Sequence, residues 1–172
     1  MSKPTPERAS DAPAEPPTQP NGRLVAVQLD HVPANPAGSF LDKERAIALR
    51  DLLADNHFSV AGSPERTFRL QLSLATGKLV LAIGDRQGTA IARHILSLSP
   101  LRRVMDDYFL VCDAYYRVVG SPAPTQSYAS DGGRRAGHNE GATLLQERLA
   151  GRVRVDFDTA RRLFTLVCTL HW

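Results

Sequence analysis

The feature that most constrains the fold is a strictly alternating segment, FRLQLSL, followed by two further strand-like segments. Its two sides are Phe68, Leu70, Leu72 and Leu74 against Arg69, Gln71 and Ser73. Because successive side chains of a strand point to opposite faces, this alternation predicts a half-buried antiparallel strand. Thr76-Gly77 then leads into KLVLAIGD, and residues 85–88 lead into TAIARHILSL. The short glycine-containing turns predict a three-stranded meander.

One strand and one helix are predicted before the meander. RLVAVQL, beginning at Arg23, is typical of a strand. Ser39 is a suitable N-cap for a helix over FLDKERAIALRDLLADN. Ala46, Leu49 and Leu53 fall on one side of that helix and predict its apolar face.

The second half of the chain is predicted to be mostly helical. Ser99-Pro100 favours a helix start, and Gly120 favours a C-terminal stop. ATLLQERLAG then predicts a short helix, RVRVDF a last strand, and TARRLFTLVCTLHW a terminal helix with Asp158 as its N-cap. One apolar stripe of the long helix is formed by Leu101, Met105, Tyr108, Cys112 and Tyr115.

Together these segments give the order β-α-β-β-β-α-α-β-α, which predicts an α+β domain. We expect an antiparallel sheet, containing the meander, that the C-terminal helices cover. The terminal helix is apolar nearly all round, so it should be buried against the helix from Leu101 to Val119. Cys112 and Cys168 lie in apolar runs with no CxxC spacing, so we expect two buried, unlinked thiols.

Composition divides the chain into a tail and a domain. Residues 1–22 contain six of the twelve prolines and few large apolar side chains, which predicts a disordered tail before a single domain over residues 23–172. The net charge of +3 permits nucleic-acid binding but is milder than strong binders show. No secretory signal or membrane span is evident, so the expected location is the cytoplasm, with no membrane partner.

A glycine-rich stretch, DGGRRAGHNEGATLL, begins at Asp131. It lacks the spacing of a Walker loop or of a dinucleotide-binding fingerprint. Gly133, Gly137 and Gly141 recur every four residues. In a helix they would share one face and allow close packing, whereas in a loop their amides could hold an anion. The sequence leaves both alternatives open.

His138 and Glu140 in this stretch are candidate catalytic residues. A histidine near a carboxylate can serve as a general base, because its pKa can lie near neutrality. In a helix, however, residues two apart do not face each other, and no serine or cysteine nucleophile is identifiable beside them. The five histidines show no metal-ligand spacing, so the sequence predicts neither a metal nor a cofactor.

Three arginine pairs are candidate anion-binding residues: Arg102-Arg103, Arg134-Arg135 and Arg161-Arg162. The first and third are expected in the first turn of a helix, where positive charge opposes the helix dipole. Such placement suggests a partner, either an internal carboxylate or an external anion. Convergence of the pairs on one place would favour an external anion.

Three separate stretches, SLSPLRRVMDDYFLVCDAYY, GRRAGHNEGATLL and VDFDTARRLFTLVCTLHW, resemble signature segments of Uncharacterised Protein Family 0262 of alphaproteobacteria. The likeness covers about residues 23–172 and implies one compact cytoplasmic domain. It brings no activity, cofactor or catalytic residue with it. From the residues themselves, we expect a binding or regulatory module that recognises an anionic ligand or an acidic partner through its arginines. The alternative is a hydrolase or transferase with His138 as general base and Glu140 assisting.

Overall fold

A computed structural model describes residues 21–35, 39–119 and 127–172. The predicted tail therefore lies almost wholly outside the described residues, as does the predicted stop at Gly120. The strands are β1 (Arg23–Leu29), β2 (Phe58–Val60), β3 (Thr67–Ala75), β4 (Lys78–Gly84), β5 (Ala90–Ser97) and β6 (Val153–Val155). The helices are α1 (Phe40–Ala54), α2 (Ser99–Val119), α3 (Ser127–Leu149) and α4 (Phe157–His171). This order confirms the predicted α+β arrangement, with β2 as an addition.

The main sheet has the strand order β1-β3-β4-β5 and is mixed. β3, β4 and β5 form the predicted antiparallel meander. The prediction of a purely antiparallel sheet is wrong, because β1 pairs parallel with β3. The chain passes through α1 between these two strands, and such a crossover connection allows parallel pairing. The short strands β2 and β6 form a separate antiparallel pair.

α1 begins as predicted but buries a different face. The Ser39 hydroxyl accepts a hydrogen bond from the backbone N–H of Asp42, which caps the helix. Of the predicted apolar face, Leu49 is half-buried against the core, but Ala46 and Leu53 are exposed, so the prediction is wrong for those two residues. The buried stripe is Leu41, Glu44, Ala48 and Leu52. This second stripe also has helical spacing, and it is buried because the Glu44 carboxylate finds hydrogen-bond donors on neighbouring helices.

The glycine-rich stretch is helical and forms the middle of α3. Its glycines face neighbouring side chains at close range. A Cβ on Gly137 would lie 3.2 Å from Tyr108 of α2, and one on Gly141 would lie 2.5 Å from the Phe164 ring of α4. The structure therefore selects close helix packing for these glycines over an anion-binding loop. The close approach brings Arg134 and His138 of α3 against the other helices.

α4 is the most deeply buried helix of the described chain, with every residue from Leu163 to Leu170 buried. Its N-cap is Asp156, whose side chain accepts from Thr159 N, so the prediction of Asp158 as the cap is wrong. α4 packs chiefly against α1 and α3, and its smaller contact with α2 includes the Tyr108–Phe164 ring pair, with centroids 5.6 Å apart. The predicted packing against α2 is therefore mostly replaced by α1 and α3.

Two further predictions concern the cysteine thiols and the presence of membrane-spanning helices. Cys112 and Cys168 are buried and free, as predicted. None of the helices in the described ranges combines the length and apolar character needed to cross a bilayer.

Candidate functional site

A cleft of about 340 Å³ opens between α1, α3 and α4. Its size is at the lower end of the range for small-molecule sites. The charged residues of its wall are Glu44, Asp51, Arg134, Asp158, Arg161 and Arg162. His138 and Thr165 add neutral polar groups, and Ile47 and Ala48 add apolar surface. The cleft thus combines cations from two helices with carboxylates from two helices.

The most buried charged group of the cleft is the Glu44 carboxylate, which is 6% exposed. One oxygen, Oε2, accepts a hydrogen bond from the Tyr108 hydroxyl at 3.1 Å. The other, Oε1, accepts from Tyr116 and from Arg134 Nη1, the latter at 3.0 Å. Burial of a charge is costly unless it is paired and hydrogen-bonded, and three donors meet that need here.

The two tyrosines act as hydrogen-bond donors to Glu44. Burial, and then the negative charge of Glu44, raise the pKa of Tyr108. Burial and the hydrogen bond to Glu44 likewise raise the pKa of Tyr116. Both phenol hydroxyls therefore stay protonated at neutral pH and donate hydrogen bonds to the Glu44 carboxylate. The Arg134 guanidinium also lies over the Tyr115 ring, 4.7 Å from its centroid, in a cation–π contact.

His138 joins this carboxylate to α4. Its Nε2 lies 2.7 Å from the Tyr108 hydroxyl and 2.9 Å from Thr165 Oγ1. Burial, and then the charges of Arg161 and Arg134, lower the pKa of His138 to about 4, so the ring is neutral at pH 7. The Tyr108 hydroxyl donates its hydrogen bond to Glu44, and the Thr165 hydroxyl donates to the Arg161 carbonyl at 3.2 Å. We therefore assign the ring proton to Nε2, which donates to these hydroxyl oxygens.

These contacts form one connected group, which we call the Glu44 cluster: Glu44, Tyr108, Tyr116, Arg134, His138 and Thr165. It contains residues of all four helices. Because both Glu44 oxygens, both tyrosine hydroxyls, His138 Nε2 and the Thr165 hydroxyl meet hydrogen-bond partners, the cluster fixes the relative positions of the helices that line the cleft.

Arg161 and Arg162 lie on the α4 side of the cleft and have weaker partners. Arg161 Nη1 lies 3.7 Å from Asp158, a carboxylate that is 61% exposed. Arg161 Nε is buried and has no hydrogen-bond partner among the described residues. Arg162 Nη1 donates to the Asp55 carbonyl, and no carboxylate of the described chain forms an ion pair with Arg162. The charge of Arg162 is thus not neutralised by a neighbouring side chain.

The structure brings together members of two of the three predicted arginine pairs. Arg134, Arg161 and Arg162 line the cleft, whereas Arg135 is exposed on α3 and is not part of its wall. Arg102 and Arg103 lie elsewhere, at the start of α2 beside the β3–β4 turn. There Arg103 approaches Asp107 at 3.9 Å on a highly exposed surface.

The two candidate catalytic residues are separated. His138 lines the cleft, but Glu140 is exposed on α3 and does not line it. Residues two apart in a helix are rotated by about 200°, which accounts for the separation. General bases work best with a pKa near the operating pH, and the lowered pKa of His138 departs from that condition. General-base chemistry by His138 with Glu140 stays a hypothesis.

Within the described ranges, no group of three or more His, Cys, Asp or Glu side chains is placed to hold a metal ion. Sequence reasoning missed Glu44, Tyr108, Tyr116 and Thr165 as members of the site. For Glu44 a signal was present, since Leu41, Ala48 and Leu52 stand on the same helical stripe. The aromatic and threonine positions gave no comparable signal.

Comparison with known proteins identifies relatives along most of the chain. A sequence model of an uncharacterised protein family, UPF0262, matches residues 21–172. A UPF0262 protein of Azorhizobium caulinodans is 52% identical over 157 residues, which cover 90% of this chain and 97% of the relative. One of Xanthobacter autotrophicus is 50% identical over 159 residues, covering 92% and 97% respectively. One of Brucella canis is 49% identical over 154 residues, covering 89% and 96%. No solved structure matches the chain.

Proposed function

Because this chain belongs to the uncharacterised protein family UPF0262, which carries no assigned function, we propose its function from the cleft itself. The protein is a small cytoplasmic binding module that holds an anionic ligand between α1 and α4, through Arg161 and Arg162. The observation that carries this proposal is the convergence of arginines from two sequence pairs on one cleft. The two free, buried thiols are in keeping with a reducing compartment.

The three cleft arginines differ in how much of their charge is matched. Arg134 is 24% exposed and forms a 3.0 Å ion pair with Glu44, so its charge is largely offset within the protein. Asp51 of the cleft wall forms a 2.8 Å ion pair with Arg50, which is not itself part of the wall. Arg161 and Arg162 are left with one distant, exposed carboxylate between them. An incoming anion would therefore interact mainly with these two guanidinium groups.

The helix dipole contributes less to this argument than the sequence suggested. With Asp156 rather than Asp158 as the cap, Arg161 and Arg162 fall in the second turn of α4. The field of the dipole falls off within the first turn, so the charges are not strongly disfavoured there. The case for an external anion rests instead on the unmatched guanidinium groups and on their position in a cleft.

The shape of the cleft limits the size of the ligand. Its volume of about 340 Å³ suits a small organic acid or a phosphate monoester rather than a macromolecule. Ile47, which is 45% exposed at the cleft, provides apolar contact for a carbon skeleton. The Glu44 cluster supplies a fixed wall, which reduces the entropy lost on binding.

The test is ligand-induced stabilisation by inorganic phosphate, citrate, succinate and AMP, measured as a shift in Tm. A ligand at 100 times its Kd stabilises a protein by about 2.7 kcal/mol, which raises the Tm of a domain of this size by roughly 5–10 °C. The shift should disappear in Arg162→Ala and in Arg161→Ala. It should persist in Arg103→Ala, a matched control on an exposed helix surface away from the cleft. Equal shifts in all three variants, or no shift in the wild-type protein, would reject the proposal.

A further inference from the structure

The outer face of the four-stranded sheet carries a second concavity, about 680 Å³ in volume, which we call the outer-face trough. Its polar walls include Arg69 of β3 and Arg93 of β5, and its floor includes Ala82 and Gly84 of β4. We propose that this trough binds an extended acidic segment of a partner protein. The site is distinct from the cleft between the helices and does not depend on its function.

The strand register places the two arginines on either side of a floor of small residues. Arg69 pairs with Gly84, and Ala82 pairs with Arg93. The guanidinium-bearing residues are thus two strands apart and offset by two residues, which separates their Cα atoms by about 12 Å. A floor without large side chains lets a polypeptide backbone approach the sheet closely.

The charge of the trough is of one sign. No aspartate or glutamate is among the residues that line it. Arg69 and Arg93 are both exposed, and neither forms an ion pair with a described residue. Arg69 Nη1 donates a 3.4 Å hydrogen bond to the Arg86 carbonyl. Asp30, a carboxylate beyond the wall, accepts hydrogen bonds from the side-chain amides of Gln28 and Gln71.

The chemistry of this surface favours a peptide over a single-stranded nucleic acid. Nucleic-acid-binding sheet faces stack bases on aromatic side chains, and no Phe, Tyr or Trp lines the trough. Carboxylates four residues apart in an extended chain point to the same face and are about 13–14 Å apart, a spacing that two flexible arginines can meet. Ile95, also on the outer face of β5 and 52% exposed, adds an apolar contact beyond Arg93.

The probe for the test is a fluorescein-labelled dodecapeptide of repeating Glu-Ala-Ser-Ala, in which every glutamate falls on one face of an extended chain, compared with a labelled twelve-residue oligo-dT by fluorescence anisotropy at low salt. The wild-type protein should bind the peptide more tightly than the oligonucleotide. Arg69→Gln with Arg93→Gln should weaken peptide binding by roughly tenfold or more, as expected when two desolvated charge pairs are lost. Arg102→Gln with Arg103→Gln removes the same charge elsewhere and should change the Kd by less than about twofold.

A second variant keeps both arginines and changes only the shape of the site. Ala82→Trp fills the floor of the trough, and it should also weaken peptide binding by roughly tenfold. Absence of wild-type binding at millimolar peptide would overturn the proposal, as would equal weakening in the Arg102/Arg103 control. Tighter binding of oligo-dT than of peptide would overturn it as well. Variants of Arg161 and Arg162 should leave peptide affinity unchanged, so the two sites can fail separately.

Discussion

Glu44→Gln removes one negative charge from the Glu44 cluster while nearly preserving the size of the side chain. The wild-type carboxylate accepts three hydrogen bonds, from Tyr108, Tyr116 and Arg134. The amide of glutamine has one acceptor oxygen, and its NH₂ group would face a donor. Hydrogen bonds to charged groups contribute about 1.5–3 kcal/mol each and neutral ones about 0.5–1.5 kcal/mol, so the loss is about 1 kcal/mol for each of three bonds.

That sum, about 3 kcal/mol, agrees with the 3–5 kcal/mol lost when one partner of a buried ion pair is removed. The free energy of unfolding is measured by urea denaturation followed by far-UV circular dichroism, with the m-value compared between variants. Glu140→Gln is the matched control, because Glu140 is exposed on α3, and its effect should stay within about 0.5 kcal/mol. A loss below about 1 kcal/mol in Glu44→Gln would contradict the buried, triply bonded carboxylate.

The pair itself is tested by a double-mutant cycle with Arg134→Gln. If the ion pair accounts for much of the loss, the double variant should be more stable than the sum of the two single effects implies, by about 1–3 kcal/mol. Simple additivity would show that the carboxylate is stabilised by the tyrosines and not by Arg134.

Three further predictions concern the helices around the cleft. The pKa of His138 is lowered to about 4 in the folded protein, so the unfolded chain binds the proton first as pH falls. The contribution of His138 to the free energy of unfolding should be constant above pH 6.5 and decline by about 3 kcal/mol towards pH 4. His138→Gln should abolish that part of the decline in pH-dependent urea titrations. Gly141→Ala should lower the free energy of unfolding by about 1–3 kcal/mol despite the higher helix propensity of alanine, because its Cβ would lie 2.5 Å from the Phe164 ring. Gly133→Ala should cost less in the same assay, because its Cβ would lie 3.3 Å from a Val111 methyl group. Removing residues 163–172 should abolish cooperative thermal unfolding, since eight of the ten are buried, and a soluble, cooperatively melting truncation would contradict this.

Local patterns predicted the meander and the helices because each of those elements is encoded within a few residues. The alternation of FRLQLSL places Phe68, Leu70 and Leu72 in the core as expected. The pairing of β1 with β3 depends on a crossover through α1, which no local pattern specifies. RVRVDF predicted β6, but β2 and β6 are only three residues long, so the alternation of neither strand indicates that the two pair.

α1 shows why the site was harder to predict than the fold. Its sequence offers two stripes with helical spacing, and the one without a charge was the natural choice for the core. The structure buries the stripe that contains Glu44, because donors from α2 and α3 stabilise the carboxylate. Whether such donors exist is decided by residues that lie 64 and 90 positions further along the chain. No analysis of α1 alone could have found them.

The glycines of α3 illustrate the opposite case, in which the pattern was evident but had two interpretations. Each glycine in a helix costs about 1 kcal/mol relative to alanine, so a helix here requires an interaction that offsets that cost. Close packing against Tyr108 and Phe164 offsets that cost in the folded protein. The same packing explains why the stretch contains Arg134 and His138 as cleft residues although it is not itself a phosphate-binding loop.

The different roles of the cleft arginines determine which substitutions can test ligand binding. Arg134 belongs to the Glu44 cluster, so replacing it would alter both the charge of the cleft and the packing of four helices. A loss of binding in an Arg134 variant would therefore not distinguish a ligand contact from a structural one. Among the described residues, Arg162 forms no ion pair, and its hydrogen bond is to a backbone carbonyl. Its removal should cost little stability, so a loss of ligand-induced stabilisation in Arg162→Ala can be attributed to the anion.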